Sequence, residues 1–442
     1  MTKLDAEIVT GDELVDELAE WLKTNWDPDL SVADWWERLG TAGWSAPTLP
    51  TTAYGRGVSR ADAVRIAQQI GQFGALGAPG GLGLLLAAPT IATHGTQEQI
   101  DRYVRDIVTG QRAWCQLFSE PGAGSDLAGL TTRAVRDGDE WVVNGQKVWT
   151  SGAQMADMGM LLARTNFDVP KHQGITWFAL DMHQPAIDVR PLREMSGSSL
   201  FNEVFMTDAR AEEDAVIGGV NNGWSAANTT LANERAGLGA GGGGGGGFGA
   251  MPGTVGHQLA RRAGDFTGPA EAGPRRRGGA MMRPSGAGQL TRLAKIKGVS
   301  GDPVVRQGLA KLHTINEVAR YNAERLKAVR ESGGDIAGMA NIAKLTMSDI
   351  MRLSRDLGLS ITGVDGTLHA YDDAGRQTLD TVRGGDFSVA MITALSLYAQ
   401  APPIYGGTDQ IQRNIIGERV LGLPKDPGDD RAVPFSELPK NG

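Results

Sequence analysis

The hydrophobic pattern of this 442-residue chain changes period twice, and that change limits the possible folds more than any other feature. From about residue 12 to 112, apolar residues recur every three or four positions, as in Leu14, Leu18 and Leu22, which predicts amphipathic helices. Short apolar runs separated by turn residues follow and predict strands. The helical spacing returns after residue 223 and continues through the C-terminal half. The sequence therefore predicts two helical regions flanking a β region.

The middle region has the pattern of an antiparallel sheet. Asn144 and Gly145 lie between two apolar segments, and because this dipeptide tolerates positive φ angles we predict a tight hairpin turn there. Four further apolar runs are bounded by turn residues. We therefore expect about six antiparallel strands, the later ones at 158–163, 175–180, 187–189 and 204–206.

These patterns predict an α+β protein of several domains. The expected boundaries are 1–112 for an N-terminal α-helical domain, 113–218 for a middle antiparallel β domain, and 219–442 for a C-terminal helical bundle. An atypical segment at about 237–288 interrupts the bundle pattern, because it is rich in glycine and arginine and includes seven consecutive glycines at 241–247. Such a composition buries too little apolar surface to offset its ordering entropy.

Composition argues against several classes of protein. A formal charge of −8 gives no basis for nucleic-acid binding through phosphate contacts. No apolar run approaches the roughly 20 residues of a membrane-spanning helix, and the acidic N-terminus is unlike a signal peptide, so we expect a cytoplasmic protein. The single cysteine, Cys115, is expected to be a buried core thiol, and the six histidines are scattered, so no metal site is predicted.

Two segments of the middle region carry residues suited to a ligand. The sequence Ser-Glu-Pro-Gly-Ala-Gly-Ser-Asp at 119–126 has glycines that let backbone N–H groups approach a bound molecule. Trp149, Thr150 and Ser151 place an indole beside two hydroxyl groups. Each segment alone is equally compatible with a structural role. Together they favour a planar heterocycle that packs on the indole and is hydrogen-bonded at its edge.

These segments and a third one resemble the acyl-CoA dehydrogenase family in sequence, spacing and order. The three are residues 119–126, Asn-Gly-Gln-Lys-Val-Trp-Thr-Ser at 144–151, and Tyr-Gly-Gly-Thr-Asp-Gln-Ile-Gln-Arg at 405–413. The resemblance covers about 14–424, except the glycine- and arginine-rich segment. It implies a helical domain, a β domain and a four-helix bundle that assembles tetramers. It also implies noncovalent FAD, oxidation of an acyl-CoA to the 2,3-enoyl-CoA in lipid metabolism such as fatty acid β-oxidation, and electron-transfer flavoprotein as acceptor.

The resemblance also implies the residues that bind the cofactor. Ser119 matches the position at the pyrimidine edge of the flavin, and Ser151 matches one that reaches toward N5. Thr408 and Gln410 match positions at the adenosine or pyrophosphate, and Ser125 additionally matches a contact to the pantetheine arm of the substrate. The full set implied for FAD is Gln116, Phe118, Ser119, Gly124, Ser125, Trp149, Thr150, Ser151, Thr408 and Gln410.

The catalytic carboxylate departs from the commonest family pattern. Many members have a glutamate where this chain has Gly406, whose N–H matches a donor to the thioester carbonyl. The long-chain and isovaleryl types instead supply the base from the first bundle helix, in a Glu-Arg pair that Glu234 and Arg235 match. The resemblance therefore implies Glu234 as the base, with Arg235, Gly406 and Ser125 at the substrate.

Two other family motifs are weak in this chain, and they leave alternatives open. The Arg-x-x-Phe-Gly motif has only a loose counterpart at 261–266, and the Gln-x-x-Gly-Gly motif appears only as Ile-Thr-Gly-Val-Asp-Gly at 361–366. In the family, both complete the cofactor site of a neighbouring subunit. A homotetramer and an α2β2 heterotetramer therefore both remain possible. A related flavin oxidase and a non-catalytic or half-site subunit are the alternative functions, and the acyl group, whether fatty, branched or steroid-derived, stays unassigned.

Overall fold

The order of the secondary structure confirms the predicted fold class. A computed structural model describes residues 11–239, 255–267, 287–332, 334, 336–382, 388–425 and 432–439. Within these ranges, helices are followed by strands and then by helices again. The glycine run at 241–247 lies outside the described residues, as does most of the 237–288 segment.

The N-terminal region is helical because its apolar residues fall on single helix faces. Leu14, Leu18 and Leu22 line the buried side of the first helix and pack with Trp35 in one apolar cluster. Ser31 begins the second helix by accepting a hydrogen bond from the Asp34 N–H. The helices are α1 (Gly11–Asn25), α2 (Val32–Thr41), α3 (Arg60–Phe73), α4 (Ala88–His94), α5 (Gln97–Gln99) and α6 (Arg105–Val108).

The middle region forms one sheet with eight strands among the described residues, so the expected number of about six was too low. The sheet is also not wholly antiparallel, because β1 pairs parallel with β4. β1 ends two residues before the 119–126 loop, so its pairing with β4 fixes where this loop leaves the sheet. The strands are β1 (Trp114–Leu117), β2 (Arg133–Asp137), β3 (Glu140–Ser151), β4 (Met158–Arg164), β5 (Ile175–Asp181), β6 (Ile187–Leu192), β7 (Phe201–Glu212) and β8 (Val216–Ile217).

The predicted hairpin turn at Asn144 and Gly145 is wrong. Both residues lie inside the continuous strand β3, where the register with β7 shifts and forms a bulge. Glycine is required there because a Cβ on Gly145 would lie 2.3 Å from Oγ1 of Thr132. The actual hairpin joins β2 to β3 through Gly138, which has a φ of 64°. An Asn-Gly dipeptide is compatible with both a turn and a bulge. The close approach of Thr132, which is distant in sequence, could not be predicted from this dipeptide.

The C-terminal region is a set of packed helices. Leu312, Met351 and Ile392 belong to its apolar core and come from three different helices. The first helix of the region packs on α4 and β5, which brings it against both of the preceding regions. The helices are α7 (Gly223–Gly239), α8 (Ala287–Ile296), α9 (Pro303–Glu331), α10 (Met339–Thr362), α11 (Asp373–Val382), α12 (Ser388–Tyr398) and α13 (Asp409–Ile415).

Residues 255–267 of the atypical segment pack against the N-terminal region. The backbone N–H of Val32 donates to the Arg261 carbonyl over 2.8 Å, and the Ala263 N–H donates to the Leu30 carbonyl over the same distance. Arg262 forms an ion pair with Asp29 at 2.6 Å. After α7 the chain therefore passes beside the loop that connects α1 to α2.

Candidate active site

The predicted base meets a predicted cofactor residue where the sheet and α7 approach each other. Nε2 of Gln116, on β1, donates to Oε2 of Glu234 over 3.3 Å, and both side chains are half-buried. α7 begins close to β5 because its first residue is Gly223, where a Cβ would lie 2.5 Å from the backbone of Thr176 and Trp177. Two segments 118 residues apart in sequence thus place a carboxylate beside the sheet.

Hydroxyl contacts one turn before Glu234 attach α7 to α4. The hydroxyls of Thr90 and Thr230 lie 2.8 Å apart and are buried, and Thr230 is four residues before Glu234 on the same helix face. Nε2 of His94 lies 2.8 Å from Oγ1 of Thr229. Burial lowers the pKa of His94, which favours its neutral form. These contacts fix the position of the helix that carries the carboxylate.

The 119–126 loop is anchored by a buried ion pair that the sequence analysis did not identify. Nζ of Lys147, on β3, lies 2.9 Å from Oε1 of Glu120 and also donates to the Phe118 carbonyl at 2.9 Å. Glu120 accepts further hydrogen bonds from the backbone N–H groups of Thr131 and Thr132. Burial acts to raise the pKa of Glu120, but the Lys147 charge and these hydrogen bonds outweigh it and lower the pKa to about 2. Glu120 is therefore a permanent anion that fixes the loop.

A second cationic group fixes the end of the same loop. The buried guanidinium of Arg164 donates to the carbonyls of Ala128 and Leu130 over 2.6 and 3.1 Å. The ring of Phe435, near the C-terminus, covers this guanidinium at 3.5 Å from the ring centroid. Nζ of Lys171 lies 3.0 Å from a carboxylate oxygen of Asp126. The backbone on both sides of the glycines is thus constrained by charged groups.

The bulged strand β3 brings Trp149, Thr150 and Ser151 next to this loop. The backbone N–H of Val148 donates to the Ser119 carbonyl over 2.9 Å, which joins the two motifs directly. Trp149 has a φ of 61°, unusual for a bulky residue, and its side chain is 58% exposed. A large aromatic side chain held open to solvent by a strained backbone is typical of a binding surface.

The residues of this surface fit a flavin. A Cβ built on Gly122 or Gly124 would meet no atom within 4 Å, so the loop leaves open space in front of its backbone. Thr150 is fully buried, so its side chain lies behind the surface on which Trp149 is exposed and Ser151 is half-buried. Ser125 is exposed and Ser119 is half-buried beside it. The surface offers an aromatic face, hydroxyls and backbone N–H groups to a planar, hydrogen-bonding ring system.

The third motif lies on the turn between α12 and α13. Gly406 and Gly407 adopt left-handed φ angles of 63° and 81°. Thr408 begins α13 and accepts a hydrogen bond from the Ile411 N–H, while Gln410 is exposed. The structure brings Gln116 to Glu234 and joins the 119–126 loop to β3. Thr408 lies apart from these residues, because its cap contact is within the C-terminal helical region. Gln410 lies on the same helix as that cap. The side chain of Arg235 lies outside the described residues.

A buried carboxylate in this motif was also missed. Asp409 lies 2.9 Å from Nζ of Lys344, 2.8 Å from Oγ of Ser348 and 2.9 Å from Nη1 of Arg352, all on α10. Like Glu120 and Lys147, Asp409 lies inside a motif for which the sequence analysis considered only contacts to a ligand. The charged residue inside each motif was the available signal, but its partners could not be identified from the sequence.

Two sequence predictions concern groups outside this surface. Cys115 is fully buried, as predicted, and burial raises its thiol pKa to about 12. Among the described residues, no group of three or more His, Cys, Asp or Glu side chains is arranged to bind a metal ion. No helix in the described ranges has the length and apolar character needed to cross a membrane.

Three family models match the chain in order. The N-terminal domain of acyl-CoA dehydrogenase matches residues 6–111, the middle domain matches 115–209, and the C-terminal domain matches 288–421. The matches leave out the glycine- and arginine-rich segment. This result confirms the resemblance that the three sequence motifs indicated.

Several curated relatives, including the following two, come from Mycobacterium tuberculosis. The acyl-CoA dehydrogenase FadE34 is 41% identical over 392 residues, which are 88% of this chain and 46% of FadE34. The acyl-CoA dehydrogenase IpdE1 is 32% identical over 394 residues, which are 89% of this chain and 88% of IpdE1. The chain thus spans less than half the length of FadE34 but most of the length of IpdE1.

Solved structures of several acyl-CoA dehydrogenases share the fold along nearly the whole chain. The Tcur3481-Tcur3483 steroid ACAD has a TM-score of 0.65 and 25% identity, covering 94% of this chain and 98% of its own. The ChsE4-ChsE5 complex from Mycobacterium tuberculosis has a TM-score of 0.61 and 26% identity, covering the same shares of both chains. With the model matches and the relatives, these likenesses show that the chain belongs to the acyl-CoA dehydrogenase family, whose members are FAD-dependent oxidoreductases.

Proposed function

We propose that this protein catalyses the α,β-dehydrogenation of an acyl-CoA thioester and that Glu234 removes the α proton. The hydrogen bond between Gln116 and Glu234 carries the proposal, because it places the carboxylate against the strand that leads into the flavin-binding loop. A glycine at position 406 removes the commoner position for the base. Glu234 matches the alternative position, and its half-buried side chain is accessible to a ligand.

The residues divide the chemistry among them. The Glu234 carboxylate accepts the α proton, while the Gly406 N–H donates to the thioester carbonyl and stabilises the enolate charge that develops there. FAD, when bound, accepts the β hydrogen as hydride. Trp149, Ser151 and the 119–126 loop would hold the flavin ring, and Gln116, Phe118, Ser119, Gly124, Ser125 and Thr150 would complete the contacts. Thr408 and Gln410 bind the adenosine and pyrophosphate portion.

We further propose a bulky, steroid-derived acyl group as the substrate. The support is the likeness to the Tcur3481-Tcur3483 steroid ACAD, together with the missing side chain at position 406. A glycine there leaves more room at the reacting carbons than a glutamate. Ser125 and Arg235 are the residues proposed to contact the CoA portion.

A second chain is the proposed partner. Arg262, in the segment that loosely matches Arg-x-x-Phe-Gly, forms ion pairs with Asp29 and Asp265 of its own chain. In this structure the guanidinium therefore contacts carboxylates of its own chain. The ChsE4-ChsE5 complex supplies an example of a related assembly from two chains. We therefore favour an α2β2 heterotetramer over a homotetramer, with electron-transfer flavoprotein as the electron acceptor and the cytoplasm as the location.

Anaerobic titration with a panel of acyl-CoAs tests the proposed reaction. The purified protein, with any copurifying partner, is mixed with straight-chain, branched and steroid-derived acyl-CoAs, and the flavin absorbance is followed. We expect bleaching by at least one thioester in the wild type, and loss of turnover by about a hundredfold or more in Glu234→Gln with flavin retained. No bleaching by any thioester, or full turnover in Glu234→Gln, contradicts the proposal. Rapid oxygen consumption during turnover indicates an oxidase instead.

A further inference from the structure

The turn at Gly406 is fixed by a single side-chain amide that the proposed mechanism does not include. Nε2 of Gln412, on α13, donates to the carbonyl of Gly406 over 2.9 Å and to the carbonyl of Gly407 over 3.2 Å. Gln412 is 1% exposed. One NH2 group therefore uses both of its hydrogens on two successive peptide groups.

The orientation of this amide is fixed by a second residue. Oε1 of Gln412 accepts a hydrogen bond from Nδ2 of Asn341, on α10, over 2.6 Å. A reversed amide would turn its oxygen toward two carbonyl oxygens and its NH2 group toward the NH2 group of Asn341, so the observed orientation is strongly preferred. The turn is thereby connected through Gln412 to α10.

The peptide before Gly406 is constrained as well. The N–H of Tyr405 donates to the Ala401 carbonyl over 3.0 Å, and its phenol oxygen lies 3.0 Å from that of Tyr398. Within the described residues the N–H of Gly406 itself has no acceptor. The turn thus presents an unpaired donor whose flanking groups are held on both sides.

We propose that Gln412 is a positioning residue that aims the Gly406 N–H at the thioester carbonyl. The inference rests on the proposed function, in which this N–H stabilises the enolate. Glycine at 406 and 407 has access to many backbone conformations, so the direction of the N–H depends on what fixes the two following carbonyls. Gln412 supplies that constraint without contacting the substrate, and it acts on the transition state more than on binding.

Gln412→Met tests the inference, because methionine has a similar size but cannot donate a hydrogen bond. We expect kcat to fall by about tenfold, less than the hundredfold or greater loss seen when an oxyanion donor is removed outright. KM for the best acyl-CoA of the panel should change by less than about threefold. Amide hydrogen exchange at residues 402–410 should accelerate. Gln400→Met, at an exposed glutamine just after α12, is the matched control and should leave all three unchanged.

A second assay isolates removal of the α proton. With the flavin reduced beforehand by dithionite, hydride transfer cannot occur, and deuterium uptake at the α-carbon in D2O reports enolisation alone. We expect Gln412→Met to slow this uptake by the same factor as kcat. Asn341→Leu, which releases the amide while keeping Gln412, should show a smaller effect in the same direction and serves if the first variant does not fold.

The outcomes separate this inference from the proposed function. If the wild type is active and Glu234→Gln is not, but Gln412→Met keeps its kcat and deuterium uptake, then Gln412 has no positioning role and only this inference is overturned. A loss confined to KM also overturns it. If the wild type oxidises no acyl-CoA, the proposed function itself fails.

Discussion

Glu120 and Glu234 are the same amino acid in two environments of one site. Glu120 is buried, faces the Lys147 ammonium and accepts several hydrogen bonds, so it stays ionised at any physiological pH. Glu234 is half-buried and contacts a neutral amide, Gln116. Because the Lys147 charge keeps Glu120 ionised, Glu120 is unsuited to take a proton, and the proposed function assigns that step to Glu234. The comparison teaches that burial against a cation gives one glutamate a structural role, while the proposed function gives the chemistry to the less buried one.

Stability should show the largest difference between the two carboxylates. Removing the charge in Glu120→Gln leaves Lys147 buried without its partner, so the free energy of unfolding should fall by about 3–5 kcal/mol. Glu234→Gln should change it by less than about 0.5 kcal/mol, because the side chain is half-buried and keeps its size. Urea unfolding of the flavin-free proteins measures both values. Equal losses in the two variants would contradict the assignment of separate roles.

The ion pair between Glu120 and Lys147 should make the stability of the protein sensitive to acid. The folded-state pKa of Glu120, about 2, lies below the ordinary glutamate value of 4.5. Its stabilising contribution is therefore complete above about pH 4.5 and is lost as the pH falls toward about 2. Urea unfolding at several pH values in this window should show a shallower decline in Glu120→Gln than in the wild type. A parallel decline in both proteins would assign the acid sensitivity to other groups.

The hydroxyl contact between α4 and α7 should affect turnover more than stability. Thr230→Val keeps the shape but loses the contact with Thr90, and we expect it to cost about 0.5–1.5 kcal/mol of unfolding free energy. Because Glu234 lies one turn further along α7, a small displacement should lower turnover by about tenfold with flavin content unchanged. Thr93→Val, on the exposed hydroxyl of α4, provides a matched control. Unaltered turnover in Thr230→Val would show that the contact between Thr90 and Thr230 does not help to position Glu234.

The smallest effect is expected at Cys115, which is adjacent to Gln116. The thiol is fully buried and its pKa is raised to about 12, so both access and thiolate formation are suppressed. A thiol reagent at pH 8 should leave the native protein unmodified and should label one thiol per chain after denaturation. Labelling of the native protein would show that β1 opens, and the site geometry described for Gln116 would then need revision.

Sequence reasoning predicted the parts of the molecule that depend on local pattern. The order of helices and strands follows from periodicity, and the core positions Leu14, Leu18 and Leu22 follow from helical spacing. The bulge at Gly145 could not be predicted, because it is enforced by Thr132 on a neighbouring segment. The Glu120–Lys147 pair joins residues 27 apart, which no local rule connects.

The site shows the same division. Family motifs supplied Glu234 as a candidate, but its approach to Gln116 depends on how α7 packs on the sheet. That packing depends on a glycine at the first position of α7 and includes a contact with the Thr90 hydroxyl on α4. Neither requirement leaves a signal in a single sequence, since glycine and threonine are common at such positions for many reasons.

The contact between Gln116 and Glu234 crosses the interface between the sheet and the C-terminal helices. In the proposed reaction, activity therefore depends on this contact between α7 and the sheet as well as on the folding of each part. On warming, separation of the helical layer from the sheet by even one ångström should silence the enzyme while circular dichroism still shows full helix and strand content. We therefore expect activity to be lost at a lower temperature than secondary structure, because the proposed site uses residues from both sides of this interface.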